Sequence, residues 1–309
     1  MLLTLFPALM LLATNEEARA TIIDFSYTGS IETYTIPTTG TYDITAYGAQ
    51  GGGYGKTNGI INNTIVGGMG ATIGGDLSLT QGEVIQVLTG GMGASNSLNG
   101  GSFGGGGGGS FVALGSALST STPLVVAGGG GGSGTGGFDG IPQGGAGYIS
   151  PSGPGTSGGT LNMGGGGGGF SGPPGATGNM GGNGVGGASF LDGGAGGGFI
   201  PTFPYGAADG GFGGGGGNGG GGGGYTGGSG GGPIDGGNGL GGSSYFFGTP
   251  SVAIAGDNSG NGLVTLSFVA STASPSGTPE PSTCLLFGSG MALMGALELR
   301  KRKGLMNRA

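Results

Sequence analysis

Tyr42-Asp-Ile-Thr-Ala-Tyr47, followed at once by Gly48-Ala-Gln-Gly-Gly52, holds the two signals on which the fold turns. In the first six residues Tyr42, Ile44 and Ala46 alternate with the polar Asp43 and Thr45, the period of a half-buried strand. Glu83-Val-Ile-Gln-Val-Leu88 repeats that period after a turn at Thr80-Gln-Gly-Glu83, and Thr38-Thr-Gly-Thr41 reads as a tight connection. Further short strands are expected at 110–114, 123–127 and 262–268, and no amphipathic helix shows between the two ends of the chain. Strands at both ends of the span imply that its first and last segments meet. The expectation is one all-β domain over residues 21–270, with a glycine-rich insertion at 99–243.

Glycine is the second signal. It supplies 94 of the 309 residues, 68 of them within 99–243, whereas charged residues make up only 7%. So many missing side chains limit the core to that of one compact domain. Between residues 21 and 278 Lys56 is the single cation against ten acids, a net charge of −9, which repels phosphates and argues against nucleic acid as a partner. There is no His, and the single cysteine, Cys284, lies near the C-terminus. Disulfides, soft-metal sites and the usual nucleophile–base pairs therefore have no residues to build them, and no cofactor or metal is expected. The acids are scattered beside glycines, so an enzyme is not expected. Asp139, Asp192, Asp209 and Asp235 read as solvated turn residues in preference to calcium ligands.

The runs Gly104–Gly109, Gly164–Gly169 and Gly219–Gly224 break the strict triplet of collagen. The nine-residue period of calcium-binding β-helices is missing, and without a GK[ST] or a strand–helix unit the glycine spacings carry no phosphate-loop meaning. Two states remain open. One is a flexible coil. The other is a set of extended left-handed polyglycine helices with three residues per turn, packed side by side so that neighbouring backbones satisfy one another. Aromatic punctuation at Phe103, Phe138, Tyr148, Phe170, Phe190, Phe199, Phe212 and Tyr225, with strands beyond the tract, favours the ordered state.

The order of landmarks adds a resemblance. Thr35-Ile-Pro-Thr-Thr-Gly-Thr-Tyr-Asp-Ile-Thr-Ala-Tyr-Gly-Ala-Gln-Gly-Gly52, then Gly67-Gly-Met-Gly70 with Leu77-Ser-Leu79, then Pro123-Leu-Val-Val-Ala-Gly-Gly-Gly-Gly-Gly132, Gly223-Gly-Tyr-Thr-Gly-Gly228 and Gly260-Asn-Gly-Leu-Val-Thr-Leu266, resemble the glycine-rich extracellular domain of the anaplastic lymphoma kinase and leukocyte tyrosine kinase receptors. The resemblance covers roughly residues 25 to 268. It implies a tumour-necrosis-factor-like β sandwich bearing a bundle of polyglycine II helices, with a structural or ligand-binding role. This chain lacks the receptors' cysteines and kinase, so binding of their cytokines is not implied.

Both ends read as addresses. An apolar run, Met1 to Ala13, and the small-x-small pattern Ala18-Arg19-Ala20 form an export signal over 1–20, cleaved after Ala20, although the expected positive n-region is absent. A linker at 271–278 precedes Pro279-Glu280-Pro281, an apolar segment from Cys284 to Leu297, and the basic cluster Arg300-Lys301-Arg302-Lys303. As a helix the 14 apolar residues rise about 21 Å, short of a ~30 Å hydrocarbon core, and the basic cluster after them holds on the cytoplasmic side. The ordered trio over 279–309 resembles the PEP-CTERM sorting signal. That resemblance implies processing by an exosortase, with Pro279, Glu280 and Pro281 as the sorting motif and Arg300 to Lys303 as the stop-transfer cluster. It also implies a transient membrane anchor and delivery to the envelope or an exopolysaccharide matrix. The expected function is a structural or adhesive component of an extracellular matrix or biofilm; the alternative is a specific binding module for a polysaccharide or protein ligand.

Overall fold

Period-two alternation is realised as strands. In the computed structural model, which describes residues 21–57, 62–96, 103–134, 144–152, 164–178, 184–198, 208–215, 219–232, 237–271 and Arg300, they follow in the order β1 (Ile22–Ser26), β2 (Ile31–Thr35), β3 (Gly40–Tyr47), β4 (Tyr54–Thr57), β5 (Asn62–Ile65), β6 (Gly70–Leu79), β7 (Val84–Leu88), β8 (Ser110–Leu114), β9 (Thr122–Ala127), β10 (Tyr245–Phe246), β11 (Val252–Asn258) and β12 (Leu263–Ala270). The chain is all-β. One five-stranded antiparallel sheet has the order β1-β12-β3-β6-β11, a second β10-β9-β8-β7-β2, and β4 and β5 pair as a separate hairpin. The first and last strands do meet: Ile22 lies opposite Ser267 and Ser26 opposite Leu263.

In β3, Tyr42, Ile44 and Ala46 are buried while Thr41, Asp43, Thr45 and Tyr47 are half-buried on the other face. The turn before β7 closes as its residues dictate. Gly82 takes φ +87°, Glu83 N–H donates to the Thr80 carbonyl at 3.1 Å, and the Glu83 carboxylate accepts from Thr80 N–H at 2.7 Å. Before β3, the Tyr42 hydroxyl donates to the Thr38 carbonyl at 2.7 Å and pins the connection to the core. Inward residues of both sheets, among them Tyr42, Ile44, Ile73, Ile85, Val87, Val112, Val125 and Leu266, form one buried cluster. Each fully buried aliphatic side chain in it contributes roughly 1.5–3 kcal/mol.

The second sheet departs from simple alternation. Phe111, Val112 and Ala113 of β8 and Val125, Val126 and Ala127 of β9 are all buried, so both faces of this sheet are covered. A second cluster accounts for the outer face: Leu88, Phe111, Ala113 and Val126 pack against Phe170 and Phe190 from the glycine-rich insertion. The first sheet's outer face carries instead Asp24, Thr45, Asp76, Thr265 and Ser267, none of them buried.

The chain divides into two units, Met1–Ser271 and Thr272–Ala309. Of the second only Arg300 is described, helical and exposed. Among the described residues no helix is long and apolar enough to cross a membrane, and the apolar segment expected at 284–297 lies outside them.

Candidate functional site

At Tyr47 the hydrogen-bond period of the chain changes from two to three. Gly48 and Gly51 N–H donate to the carbonyls of Ala71 and Gly68 at 2.8 and 2.9 Å, while Ala49 and Gly52 donate to those of Gly108 and Gly105 at 2.8 and 2.7 Å. Each neighbour is thus addressed at every third residue. The same happens wherever a strand passes into glycine at this end of the molecule: after β7 at 90–94, before β8 at 104–109, and after β9 at 128–134. The lattice so formed is wider than the glycine-dense span 99–243, because 48–53, 67–71, 90–94 and 260–262 belong to it.

Segment 219–225 shows the arrangement most fully. Gly220 and Gly223 donate to Gly104 and Gly107 at 3.3 and 2.9 Å, Gly221 and Gly224 to Gly165 and Gly168 at 2.9 and 3.1 Å, and Gly222 and Tyr225 to Leu240 and Ser243 at 2.9 and 2.8 Å. In return its carbonyls at Gly220 and Gly223 accept from Gly132 and Gly129, and those at Gly219 and Gly222 accept from Gly231 and Gly228. One segment therefore bonds five neighbours. A β-strand, whose backbone groups point to two sides only, reaches two.

Such density leaves no room for side chains. A Cβ at Gly222 would fall on the Gly129 carbonyl oxygen, and one at Gly130 on that of Gly68. Side chains return at the margins, where they finish the hydrogen bonding. The Ser110 hydroxyl, fully buried, donates to the Tyr47 carbonyl at 2.6 Å and accepts from Gly90 N–H at 3.0 Å, tying β3, β8 and the exit of β7 together. Ser244 Oγ accepts from Gly128 N–H at 3.0 Å, Asn238 Oδ1 from Gly134 N–H at 2.7 Å, and Asn261 Oδ1 from Met92 N–H at 2.8 Å. Among the described residues no buried side-chain nitrogen or oxygen lacks a partner.

Of the aromatic punctuation, Phe170, Phe190, Phe212 and Tyr225 form an anchor on the second sheet, and Phe103 and Tyr148 stand apart from it. Phe111 of β8, Phe190, Phe170, Tyr225 and Tyr245 of β10 stack in that order, with centroids 5.2, 5.2, 6.4 and 4.6 Å apart. Phe212 packs against the same cluster, whereas Phe138 and Phe199 lie outside the described residues. Tyr225 belongs to both systems: its backbone ends the lattice segment and its ring sits in the stack.

Of the four acids read as turn residues, Asp192 and Asp209 are exposed. Asp192 accepts from the Ser189 hydroxyl at 2.6 Å, and the Asp209 backbone carbonyl accepts from Ala94 N–H at 2.9 Å. Asp139 and Asp235 lie outside the described residues, and among those described no three acidic or cysteine side chains gather as a metal site. Burial pushes the Tyr42 phenol up from its ordinary value, against the pull of its hydrogen bond to Thr38. The signal residues Ala18 and Ala20, the sorting motif Pro279, Glu280 and Pro281, and Lys301, Arg302 and Lys303 also lie outside the described residues. Glycine density in the sequence pointed to the lattice, but Ser110, Asn238, Ser244 and Asn261 had no signal of their own, since their role depends on where distant glycine segments end. No model of a known protein family matches the chain, and no curated protein matches it.

Proposed function

We propose that this chain is an exported structural component of the cell envelope or an exopolysaccharide matrix, sorted by its PEP-CTERM-type tail and processed there by an exosortase. In this reading the two sheets form a tumour-necrosis-factor-like sandwich, and the lattice is a bundle of polyglycine II helices. The observation that carries the second point is the three-residue period of segment 219–225 on its neighbours, which matches one helical turn per three residues. Backbone groups that satisfy one another need neither side chains nor charge. A rigid, weakly charged body suits a load-bearing or adhesive part outside the cell.

The tail is tested in producing cells by Glu280→Ala. The expected outcome is unprocessed protein held in the membrane fraction; normal release would sink the sorting role. A second reading, a binding module for a polysaccharide, is favoured by the outer face of the first sheet, where half-buried Thr45, Thr265 and Ser267 lie beside exposed Asp76 and Ser78. A glycan array with residues retained through 278 separates the two, because a purely structural role predicts no selective glycan.

A further inference from the structure

Sheet edges invite other chains, because an outermost strand leaves half of its backbone groups unpaired. Among the described residues the two large sheets have four edges. β10 is two residues long, β2 carries Glu32, and β1 carries Asp24. The fourth edge, β11, has seven residues, neither proline nor cation, and one acid, Asp257, whose carboxylate already accepts from the Thr72 hydroxyl at 2.9 Å. Ala253, Ile254 and Ala255 are three consecutive exposed residues, with Ile254 at 47%.

The direction of its backbone groups can be read from the ladder. Gly48 N–H donates to the Ala71 carbonyl, which puts the hydrogen-bonded phase of the β3–β6 ladder on Ala46 and Ile73. Paired and unpaired positions alternate in an antiparallel ladder, so Thr72 and Gly74 turn their groups to β11 instead. The 2.9 Å bond from Ser251 N–H to the Gly74 carbonyl agrees. Thr72 and Gly74 lie opposite Ile254 and Val252, so it is Ala253 and Ala255 whose N–H and C=O groups face out of the sheet.

We propose that β11 pairs antiparallel with β11 of a second copy of this chain, about a two-fold axis at Ile254, joining two five-stranded sheets into one of ten. This goes beyond the matrix reading and does not depend on it. In this register Ala253 exchanges hydrogen bonds with Ala255 of the second copy, and Ala255 with its Ala253. Ile254 meets its own counterpart, and the pairing ends at Ser251, whose N–H is given to Gly74, and at Gly256, whose φ of +60° turns the strand. No charge faces a like charge, as a self-complementary interface requires. An axis at Ala253 would call on Ser251, and an axis at Ala255 would run the pairing through Gly256.

The test places single cysteines in the full chain, held in mild detergent, with Cys284→Ser to remove the native thiol. At a non-hydrogen-bonded antiparallel pair the Cα atoms are about 4.5 Å apart, within the reach of a disulfide. Ile254→Cys should therefore form a covalent dimer on mild oxidation. Val252→Cys, about 13 Å from its own counterpart in this register, should not. The unaltered chain should sediment at twice the mass of one chain. Ala253→Pro should sediment at one, with an unchanged far-ultraviolet spectrum, because a proline there removes no bond to β6. Single-chain mass for the unaltered protein at micromolar concentration would overturn the proposal. So would equal cross-linking at 252 and 254, or a ladder of higher masses, which would mean head-to-tail pairing of β11 with β1. Should Ala253→Pro fail to fold, the cysteine pair still decides.

Discussion

The two-sheet core and the glycine lattice share strands that run from one into the other, yet they are held by opposite means. In the core, backbone hydrogen bonds run within each sheet, and side chains such as Ile44, Val112 and Val125 join the sheets. Beyond Tyr47 the same chain gives up side chains, and hydrogen bonds run between neighbours in several directions at once. What the contrast teaches is a reversal of the ordinary rule for substitution. In a core, removing methyl groups costs stability; in the lattice, adding one does.

Gly222→Ala breaks the comparison most sharply. In most settings where the backbone allows it, Gly→Ala stabilises by roughly 0.4–1 kcal/mol through the unfolded state. Here the new Cβ would sit on the Gly129 carbonyl oxygen, so segments 219–225 and 128–134 must part and several buried backbone groups lose partners. A loss of about 4 kcal/mol or more is expected by denaturant melting. Ile44→Val, a fully buried change in the core, should cost only about 1 kcal/mol. A Gly222→Ala protein as stable as the unaltered one would show that the lattice is not close-packed.

Phe190→Ala tests whether the two regions depend on one another. Its ring, fully buried, lies between Phe111 of the second sheet and Phe170 of the insertion. The expected loss is about 3–5 kcal/mol. Amide exchange should quicken across 164–232 while the amides of β3, β6 and β12 stay slow. Uniform quickening would mean that core and lattice melt as one unit.

How much of this was legible follows from the same contrast. The strand at 42–47 was readable because period two in the sequence is period two in burial, whereas at 84–88 the sequence alternates but Ile85, Gln86, Val87 and Leu88 are all buried. Alternation failed as a guide at β8 and β9, where Phe111 and Val126 face outward into a cover made by Phe170 and Phe190, some sixty residues on. The lattice is marked in sequence only by absence, so glycine density located its middle but not its margins at Ala49, Ala71 and Ala94, where a Cβ is tolerated. Partners more than 80 residues apart, such as Gly52 and Ser133 or Gly48 and Asn258, leave no local trace.

Ser110→Ala examines the seam itself. Its hydroxyl serves the Tyr47 carbonyl and Gly90 N–H together, and alanine leaves both buried groups without that partner. A loss of about 1–3 kcal/mol is expected, with faster exchange at Gly90. Ser78→Ala, on the exposed outer face of β6, should change stability by less than about 0.5 kcal/mol.

The smallest effect sharpens the core side. Tyr42 is 1% exposed, and its phenol is shifted upward chiefly by burial, so the folded state favours the neutral form. In the unfolded chain the phenol titrates near its ordinary value of 10.0. Below that pH both states hold the proton and Tyr42 adds no pH dependence. Above it the unfolded chain releases the proton first, so stability falls as pH rises from about 10 toward the raised folded value. Tyr42→Phe keeps the ring and removes the titration. It should cost about 0.5–1.5 kcal/mol at neutral pH through the lost bond to the Thr38 carbonyl. It should also flatten the alkaline decline in melting temperature. An equally steep decline in the Tyr42→Phe protein would place the alkaline sensitivity in another group.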